Sequence, residues 1–410
     1  MSTTVAEPQE TKKVQSSEKD ATESKAKQQD SSSKEVKSQL KFGVLKNVLE
    51  DALSAVTSVV SEKSTLPILG NVLIRSEGNK IEIRGTSLEM EVQATIDGTV
   101  AGQGSTAVPG RNFVEFVRSF SDGVVTFEQQ TPKCRITLGR SRFSLPQMDP
   151  ETYPSVPSIK TNIAAPASAI ARCIKQARQA VGGSDAPDTI KGVYLHVSSN
   201  NLTVVATDRK RLHLATQSVA IDGLGEESKG VIIPGSTCDM ILKVLSYKDK
   251  EEQKGNVEFG FDASSFDLKY GNYVIHSRVI SGTYPEYNKV IPKEFKHSIN
   301  MDKAALNAAM RKTLLADRKH SKAIFSFTKN VLHVSAAGEN SAECEEVLDT
   351  DYKGEEITVG LNADYVLDSV NAATGNSITM KMNDAGGPVL ILWHPFHLTA
   401  LFWFLEALQL

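Results

Sequence analysis

The stretch Ala107-Val108-Pro109-Gly110, followed by the helical pattern Arg111–Phe120, recurs as Ile232-Ile233-Pro234-Gly235, followed by the helical pattern Thr237–Leu245. Gly235 lies 125 residues after Gly110, and no shorter period relates the two stretches. A whole set of elements repeated at one long spacing indicates a duplicated structural unit. The chain therefore contains at least two copies of one fold.

The patterns that surround these stretches recur in the same order, and a third copy follows near the carboxyl end. Each copy begins with an amphipathic helical pattern, at Val44–Ser61, Ala167–Ala180 and Lys303–Leu315. In the third copy the second helix is predicted at Asp364–Ala372, after Thr358-Val359-Gly360. A unit of about 120 residues is large enough to bury its own core, so three domains are predicted rather than a solenoid.

Short apolar runs separated by turn residues predict antiparallel strand pairs between the two helices of each copy. These runs are Leu69–Ile74 with Ile81–Ile83, Gly192–Val197 with Leu202–Ala206, and Ala323–Phe327 with Val331–Val334. The first two copies close on Tyr153-Pro154 and Tyr284-Pro285. The sequence predicts an α+β protein with domains at residues 40–158, 159–293 and 294–410.

Residues 1–39 differ in composition from the rest of the chain. They contain seven lysines and seven acidic residues among many Ser, Thr, Gln and Ala, and they contain no aromatic residue. Such a segment cannot bury enough apolar surface to offset the entropy lost on ordering. We expect a disordered tail, with an interaction arm or a targeting extension as the alternative.

Composition and motifs argue against an enzyme or a metal protein. The four cysteines, Cys134, Cys173, Cys238 and Cys344, are scattered and form no C-x-x-C pair. We find no nucleophile elbow, phosphate loop, nucleotide fingerprint or metal-ligand spacing, so no catalytic residue, cofactor or metal is predicted. The formal net charge of −3 is unlike that of a tight nucleic-acid binder, although net charge does not locate the charges.

Several motifs occur in order in three successive domains. They are Thr65-Leu66-Pro67-Ile68-Leu69-Gly70-Asn71, Gly139-Arg140-Ser141-Arg142-Phe143-Ser144-Leu145, Val205-Ala206-Thr207-Asp208, Gly282-Thr283-Tyr284-Pro285-Glu286-Tyr287 and Gly360-Leu361-Asn362-Ala363-Asp364-Tyr365. Together these motifs resemble those of the β sliding clamps, the β subunits of bacterial DNA polymerase III. The resemblance implies a processivity factor of DNA replication that encircles duplex DNA regardless of sequence. It also implies a cytoplasmic, nucleoid-associated protein that does not bind membranes.

The resemblance implies a ring built from two chains joined head to tail, with helices lining the hole and antiparallel sheets outside. The homodimer interface would join domain I of one chain to domain III of the other. At the matching positions Phe143 and Leu145 would face Leu314 and Leu315. Ordinary core packing is the alternative role for these four residues.

A ring that slides needs only modest basic character on its inner surface, because topological closure replaces strong phosphate contacts. Lys303, Asn307 and Arg311 recur at helical spacing and share one face, as do the polar residues Arg172, Lys175, Gln176 and Gln179. The predicted DNA-facing residues are Lys63, Arg111, Arg118, Arg172, Lys175, Lys303 and Arg311. An exposed helix face of no special function is the alternative reading of each.

The resemblance also implies a pocket between domains II and III for short peptides with hydrophobic anchors. Such peptides belong to the replicative polymerase, the clamp loader and other clamp-binding proteins. The matching positions are Ile190, Thr207, Arg211, Leu212, Pro285, Lys289, Val290, Asn362 and Tyr365. The rim would include Arg209, Lys210, Arg211 and Lys289. Family members often have Gly-His at the positions of Arg209 and Lys210, so this sequence adds charge and bulk there.

The chain departs from the family at residues 391–410. Family members end on Met-Pro-x-Arg-Leu, whereas this stretch holds both tryptophans, five aromatic residues and the single charge Glu406. An altered reading frame, a divergent last strand or a membrane anchor would explain this departure, and a frameshift would remove one wall of the pocket. A degenerate or regulatory clamp paralogue with impaired partner binding is therefore the alternative function.

Overall fold

The computed structural model describes residues 39–61, 63–225, 227–248, 255–338, 342–393 and 400–402, with only the backbone described at 247, 248 and 400–402. The predicted disordered tail thus lies outside the described residues, except for Gln39. No helix among the described residues is long and apolar enough to cross a membrane.

Three groups of elements follow one another along the described part of the chain, each with two α-helices. The first contains β1 Lys41–Leu45, α1 Lys46–Val56, β2 Asn71–Glu77, β3 Lys80–Thr86, β4 Met90–Asp97, β5 Thr99–Gly102, β6 Gly104–Pro109, α2 Gly110–Ser119, β7 Val124–Gln129, β8 Lys133–Leu138 and β9 Ser141–Pro146. The second contains β10 Ile163–Pro166, α3 Ala167–Ala177, β11 Gly192–Ser198, β12 Asn201–Thr207, β13 Arg211–Ser218, β14 Lys229–Pro234, α4 Gly235–Lys248, β15 Asn256–Phe261, β16 Ser265–Tyr270 and β17 Tyr273–Arg278.

The third group repeats the order, and its last described element is a short strand. It contains β18 His297–Asp302, α5 Lys303–Ala316, β19 Lys322–Thr328, β20 Val331–Ala337, β21 Glu343–Asp349, β22 Ile357–Asn362, α6 Ala363–Ala372, β23 Ser377–Met382, β24 Val389–Leu392 and β25 Ala400–Phe402. The α+β class and the threefold repeat are confirmed. We call the three groups domains I, II and III, while the residue boundaries drawn between them remain predictions.

The strands that the structure describes form four antiparallel sheets, and two of these sheets run across domain boundaries. Sheet 1 has the order β5-β1-β7-β8-β9 and sheet 4 has the order β21-β20-β19-β22. Sheet 2, in the order β10-β15-β16-β17-β4-β3-β2-β6, joins domain II to domain I where β17 pairs with β4. Sheet 3, in the order β14-β11-β12-β13-β25-β24-β23-β18, joins domain II to domain III where β13 pairs with β25.

The helices form a continuous row on one side of these sheets. Neighbouring helices contact each other in the order α2, α1, α4, α3, α6, α5, so the row also crosses both domain boundaries. In α3 the apolar residues Ile170, Cys173 and Ile174 point into the core, while Arg172 and Lys175 are exposed. This amphipathic spacing explains why each helix lies flat on a sheet with its polar side outward.

The predicted first helix, Val44–Ser61, was wrong at both ends. Residues 41–45 form strand β1, in which Phe42 and Val44 alternate into the core and pair with β7. The helix begins at Lys46 and ends at Val56. Apolar residues repeat every two positions in a strand and about every 3.6 positions in a helix. Where a strand runs directly into a helix the two patterns overlap, so the apolar residues alone did not show where β1 ends and the helix begins.

Candidate functional site

A cavity of about 390 Å³ opens on the outer side of sheet 3 beside the boundary between domains II and III. Three segments enclose it: a short 3-10 helix ending at Ile190, the turn between β12 and β13, and the segment that follows β17. Its lining consists of Pro187, Thr189, Ile190, Thr207, Arg209, Arg211, Leu212, Pro285, Glu286, Tyr287 and Val290. A mostly apolar cavity with a few polar groups at its edge suits a ligand with hydrophobic anchors.

The turn between β12 and β13 is held by its own side chains. The Thr207 hydroxyl donates to the Arg211 carbonyl at 2.7 Å and accepts from the Arg209 amide at 3.2 Å. The Asp208 carboxylate accepts from the amides of Lys210 and Arg211, both at 2.9 Å. Arg209 adopts a φ of 76°, a conformation that costs an L-residue energy and suits glycine. The turn therefore presents Arg209 to the cavity at the cost of backbone strain.

Arg211 lines the cavity and contacts residues of both domain II and domain III. Its guanidinium pairs with Asp208 at 3.1 Å and with Asp368 of α6 at 2.6 Å, and it donates to the Gln179 carbonyl at 2.7 Å. The same group lies 4.3 Å from the centre of the Tyr365 ring. Its side chain is only 11% exposed, so these contacts fix its position.

A buried histidine lies behind the cavity, on the helix side of β13. His213 Nδ1 lies 3.0 Å from the Gln176 carbonyl, and Nε2 lies 3.0 Å from the Ser369 hydroxyl of α6. Burial, reinforced by the positive charge of Arg211, lowers the pKa of His213 to about 4. The imidazole is therefore neutral at pH 7 and links domain II to domain III by polar contacts.

The structure brings most of the predicted pocket residues together. Ile190, Thr207, Arg211, Leu212, Pro285 and Val290 line the cavity. Three predicted residues are outside its lining: Lys289 pairs with Glu286, Asn362 caps α6 by accepting from the Tyr365 amide, and Tyr365 supports Arg211 from below. Asn362 and Tyr365, predicted as walls, thus support the cavity from domain III, and Lys289, predicted on the rim, lies beside the lining residue Glu286. Contact of these three residues with a peptide remains a prediction.

Four lining residues were not among those predicted. Pro187 and Thr189 lie in the segment before β11, and Glu286 and Tyr287 directly follow the predicted Pro285. Tyr287 could have been found from the sequence, because it belongs to the Tyr-Pro-Glu-Tyr stretch that was already recognised. Nothing in the residues around Pro187 distinguishes them from an ordinary loop.

The predicted DNA-facing residues all lie on helices or, for Lys63, in the loop after α1, and all except Lys303 are exposed. Several are held by polar contacts within the chain. Arg118 donates to the Ser54 hydroxyl at 2.9 Å, Lys303 donates to the Ala373 carbonyl at 2.6 Å, and Arg311 donates to the Asn307 amide oxygen at 2.8 Å. Gln176, which the sequence placed on the exposed polar stripe of α3, is buried instead.

The four predicted interface residues differ in their exposure. Leu315 is 65% exposed and Leu314 is half-buried on α5. Phe143 is half-buried and stacks on Phe116 with ring centres 4.2 Å apart. Leu145 is only 1% exposed and already belongs to the core of its own domain. A partner chain could therefore gain little area from Leu145, and the prediction is corrected to a core role that supports β9.

Strand β25, the last described strand along the chain, belongs to sheet 3 and lies within the atypical segment 391–410. The backbone of β25 pairs with β13, with Leu401 opposite Leu212 and Phe402 opposite Arg211, and its other edge pairs with β24. Trp393 is buried in the core of domain III. Residues 394–399 and 403–410, which include the remaining predicted departures, lie outside the described residues.

Three family models match successive parts of the chain. They describe the N-terminal, central and C-terminal domains of the DNA polymerase III beta subunit and match residues 40–157, 164–286 and 288–394. Together these matches span most of the described residues.

Individual beta sliding clamps are also similar to this chain over most of its length. The beta sliding clamp of Haemophilus influenzae is 28% identical over 359 residues, which are 86% of this chain and 95% of that protein. The beta sliding clamp of Escherichia coli K12 is 26% identical over 357 residues, with the same two shares. A solved structure of the Caulobacter crescentus beta sliding clamp superposes with a TM-score of 0.81 at 25% identity, covering 90% of this chain and all of that one.

Proposed function

This chain belongs to the family of DNA polymerase III beta subunits, the bacterial β sliding clamps, and from that premise we propose which of its surfaces hold DNA, partner proteins and a second chain. The chain is a processivity factor of DNA replication and not an enzyme. Its cellular partners are duplex DNA and the replicative polymerase. A protein that serves replicating DNA would work in the bacterial cytoplasm, at the nucleoid.

The cavity lined by Leu212 and Val290 is the proposed binding site for the anchor residues of partner peptides. Its combination of an apolar floor with Arg209 and Arg211 at the edge carries this assignment. A few buried apolar contacts can supply most of the binding energy of a short peptide. In the Caulobacter clamp structure, polyethylene glycol is bound to a proposed β-motif tethering region. The polymerase, the clamp loader and other proteins with this type of motif would compete for the site.

Two adjacent residues allow a matched test of the pocket. Val290 lines the cavity, whereas the next residue, Ile291, is equally half-buried and lies outside its lining. In primer extension with polymerase and clamp loader, Val290→Ala should shorten the products and weaken peptide binding by roughly tenfold, because one anchor contact is lost. Ile291→Ala should leave both unchanged. Equal effects of the two changes would refute the assignment.

The row of six helices is the proposed DNA-facing surface. Its exposed cations, Arg111, Arg118, Arg172, Lys175 and Arg311, are spread over helices of all three domains. Scattered single cations give weak, sequence-independent attraction to phosphates, which permits sliding. Replacing Arg172 and Lys175 together by Gln should slow loading and reduce its salt dependence, whereas peptide binding should stay unchanged.

The proposed partner of sheet 1 and sheet 4 is a second copy of the chain. Among the described strands, β9 has no partner on one side and so forms an open edge of sheet 1, where Arg142 is exposed. Strand β21 likewise forms an edge of sheet 4 that no other described strand covers, and it exposes Glu343, Glu345 and Val347. Open strand edges invite pairing, and opposite charges favour these two edges over like edges. Contacts of this kind at both ends of two chains would close a ring.

A further inference from the structure

Three ionisable side chains form a row across the boundary between domains I and II. Asp267 of β16, His276 of β17 and Glu91 of β4 occupy directly paired positions on three adjacent strands of sheet 2. Because the apolar residues Leu268, Ile275 and Val92 next to them face the helix side, the row lies on the outer face of the sheet. Glu91 is only 1% exposed, and the other two members are also buried.

The two carboxylates of the row differ in their surroundings. Asp267 Oδ2 accepts from the amide of Ile159, in the segment between domains I and II, at 2.8 Å and lies 2.9 Å from His276 Nδ1. Among the described residues, neither oxygen of Glu91 has a hydrogen-bond partner. Its nearest cation, Arg84, lies 3.9 Å away and is also paired with Glu82. A buried carboxylate without donors is costly when ionised.

The position equivalent to Glu91 at the boundary between domains II and III is occupied by an apolar residue. The turn after β3 repeats the turn after β12: the Thr86 hydroxyl donates to the Met90 carbonyl and accepts from the amide of Leu88, which has a φ of 73°. Glu91 lies 121 residues before Leu212 and holds the same place after its turn. The boundary that carries the peptide pocket thus has a leucine, and the other boundary has an unsatisfied carboxylate.

We propose that Glu91, His276 and Asp267 form a proton-controlled joint between domains I and II. The pairing of β4 with β17 is stable when Glu91 is protonated, and it opens more often when Glu91 ionises inside the sheet. Glu91 faces Arg84 and Glu82 from β3, His276 from β17, Asp267 from β16 and the Tyr153 hydroxyl from the connecting segment. More frequent opening of this joint would let domains I and II of each chain in the proposed ring move more easily relative to each other.

The direction of the pH effect follows from the environment of Glu91. Burial raises the pKa of Glu91, and the charges of Arg84 and His276 only partly oppose this. The folded joint therefore holds the proton more tightly than the unfolded chain does. Its stability is highest at low pH and falls as the pH rises through the raised pKa, the reverse of a salt-bridged carboxylate.

Replacing the carboxylate by an amide in the full-length protein tests this. Backbone amide hydrogen exchange in β4 and β17, corrected for intrinsic rates, reports the opening of the joint. At pH 8, Glu91→Gln should slow this exchange by about tenfold relative to wild type. Near pH 4.5 the two proteins should exchange alike. The matched control is Glu89→Gln, an exposed glutamate two residues earlier, which should match wild type at both pH values.

A second variant tests whether the three residues act together. In His276→Gln the positive charge opposing the rise in Glu91's pKa is lost, so the pKa of Glu91 rises further. The difference in exchange between His276→Gln and His276→Gln/Glu91→Gln should therefore be larger at pH 8, and should keep growing to a higher pH, than the difference between wild type and Glu91→Gln. The proposal is overturned if Glu91→Gln exchanges as fast as wild type at pH 8, or slows exchange equally at both pH values. It is also overturned if His276→Gln leaves the pH profile unchanged.

Discussion

The Arg211 guanidinium lies 4.3 Å from the centre of the Tyr365 ring while its Nη1 atom donates to the Asp368 carboxylate at 2.6 Å. Arg211 belongs to β13 of domain II, and both partners belong to α6 of domain III. Because Arg211 also lines the cavity, the boundary between the domains and the proposed peptide pocket share one residue. Partner binding and the packing of these two domains should therefore respond to the same changes.

Replacing Arg211 by Lys tests this link. Lysine keeps the charge but cannot form the flat fork that pairs with Asp208 and Asp368 and stacks on Tyr365. We expect the free energy of unfolding to fall by about 1–2 kcal/mol and peptide affinity to fall about tenfold. Urea denaturation and fluorescence anisotropy measure the two effects. Arg209→Lys is the matched control and should leave stability unchanged, and an unaltered Arg211→Lys protein would contradict the link.

Arg209 should lower stability through its backbone conformation. Its φ of 76° is unfavourable for any residue with a Cβ, and Leu88 has a φ of 73° in the equivalent turn of domain I. Arg209→Gly and Leu88→Gly should each raise the free energy of unfolding by about 0.5–1 kcal/mol. Chemical denaturation of the two variants gives the values. Destabilisation by glycine at both positions would show that the turns are not strained.

His213 should make the protein sensitive to mild acid. Its pKa of about 4 in the folded state lies below the ordinary value of 6.5. The unfolded chain therefore binds the proton first, and stability falls as the pH drops from about 6.5 to about 4, by up to roughly 3 kcal/mol. His213→Asn should flatten this part of the pH profile. A variant whose unfolding free energy follows the wild-type profile over this interval would exclude His213 as the cause.

Opposite charges on β9 and β21 should help two chains associate. Arg142→Glu alone, or Glu345→Arg alone, would place like charges at both proposed interfaces and weaken the dimer by about tenfold or more. The chain carrying both changes should regain much of the wild-type affinity. Sedimentation velocity at several protein concentrations measures the three variants. If both single changes leave the dimer intact, these edges do not meet.

The fold could be predicted because several short patterns recur in one order. The strand and helix patterns around Pro109-Gly110 and Pro234-Gly235 identified the repeated unit without any contact information. The row formed by Glu91 and His276 could not be predicted, since these residues are 185 positions apart and meet only through the pairing of β4 with β17. Leu145 and Gln176 were misjudged for a related reason: Leu145 lies between the exposed Ser144 and Pro146, Gln176 follows the exposed Lys175, and only the folded sheets and helices bury them.

The central claim is that two chains hold DNA by enclosing it, and retention on circular and linear DNA tests this most directly. The protein would be loaded by a clamp loader onto nicked circular DNA, separated from free protein by gel filtration, and measured before and after one double-strand cut. We predict that it stays on the circles through buffer of raised salt and is lost after the cut, because it can slide off the ends. Equal retention on circular and linear DNA would contradict the account.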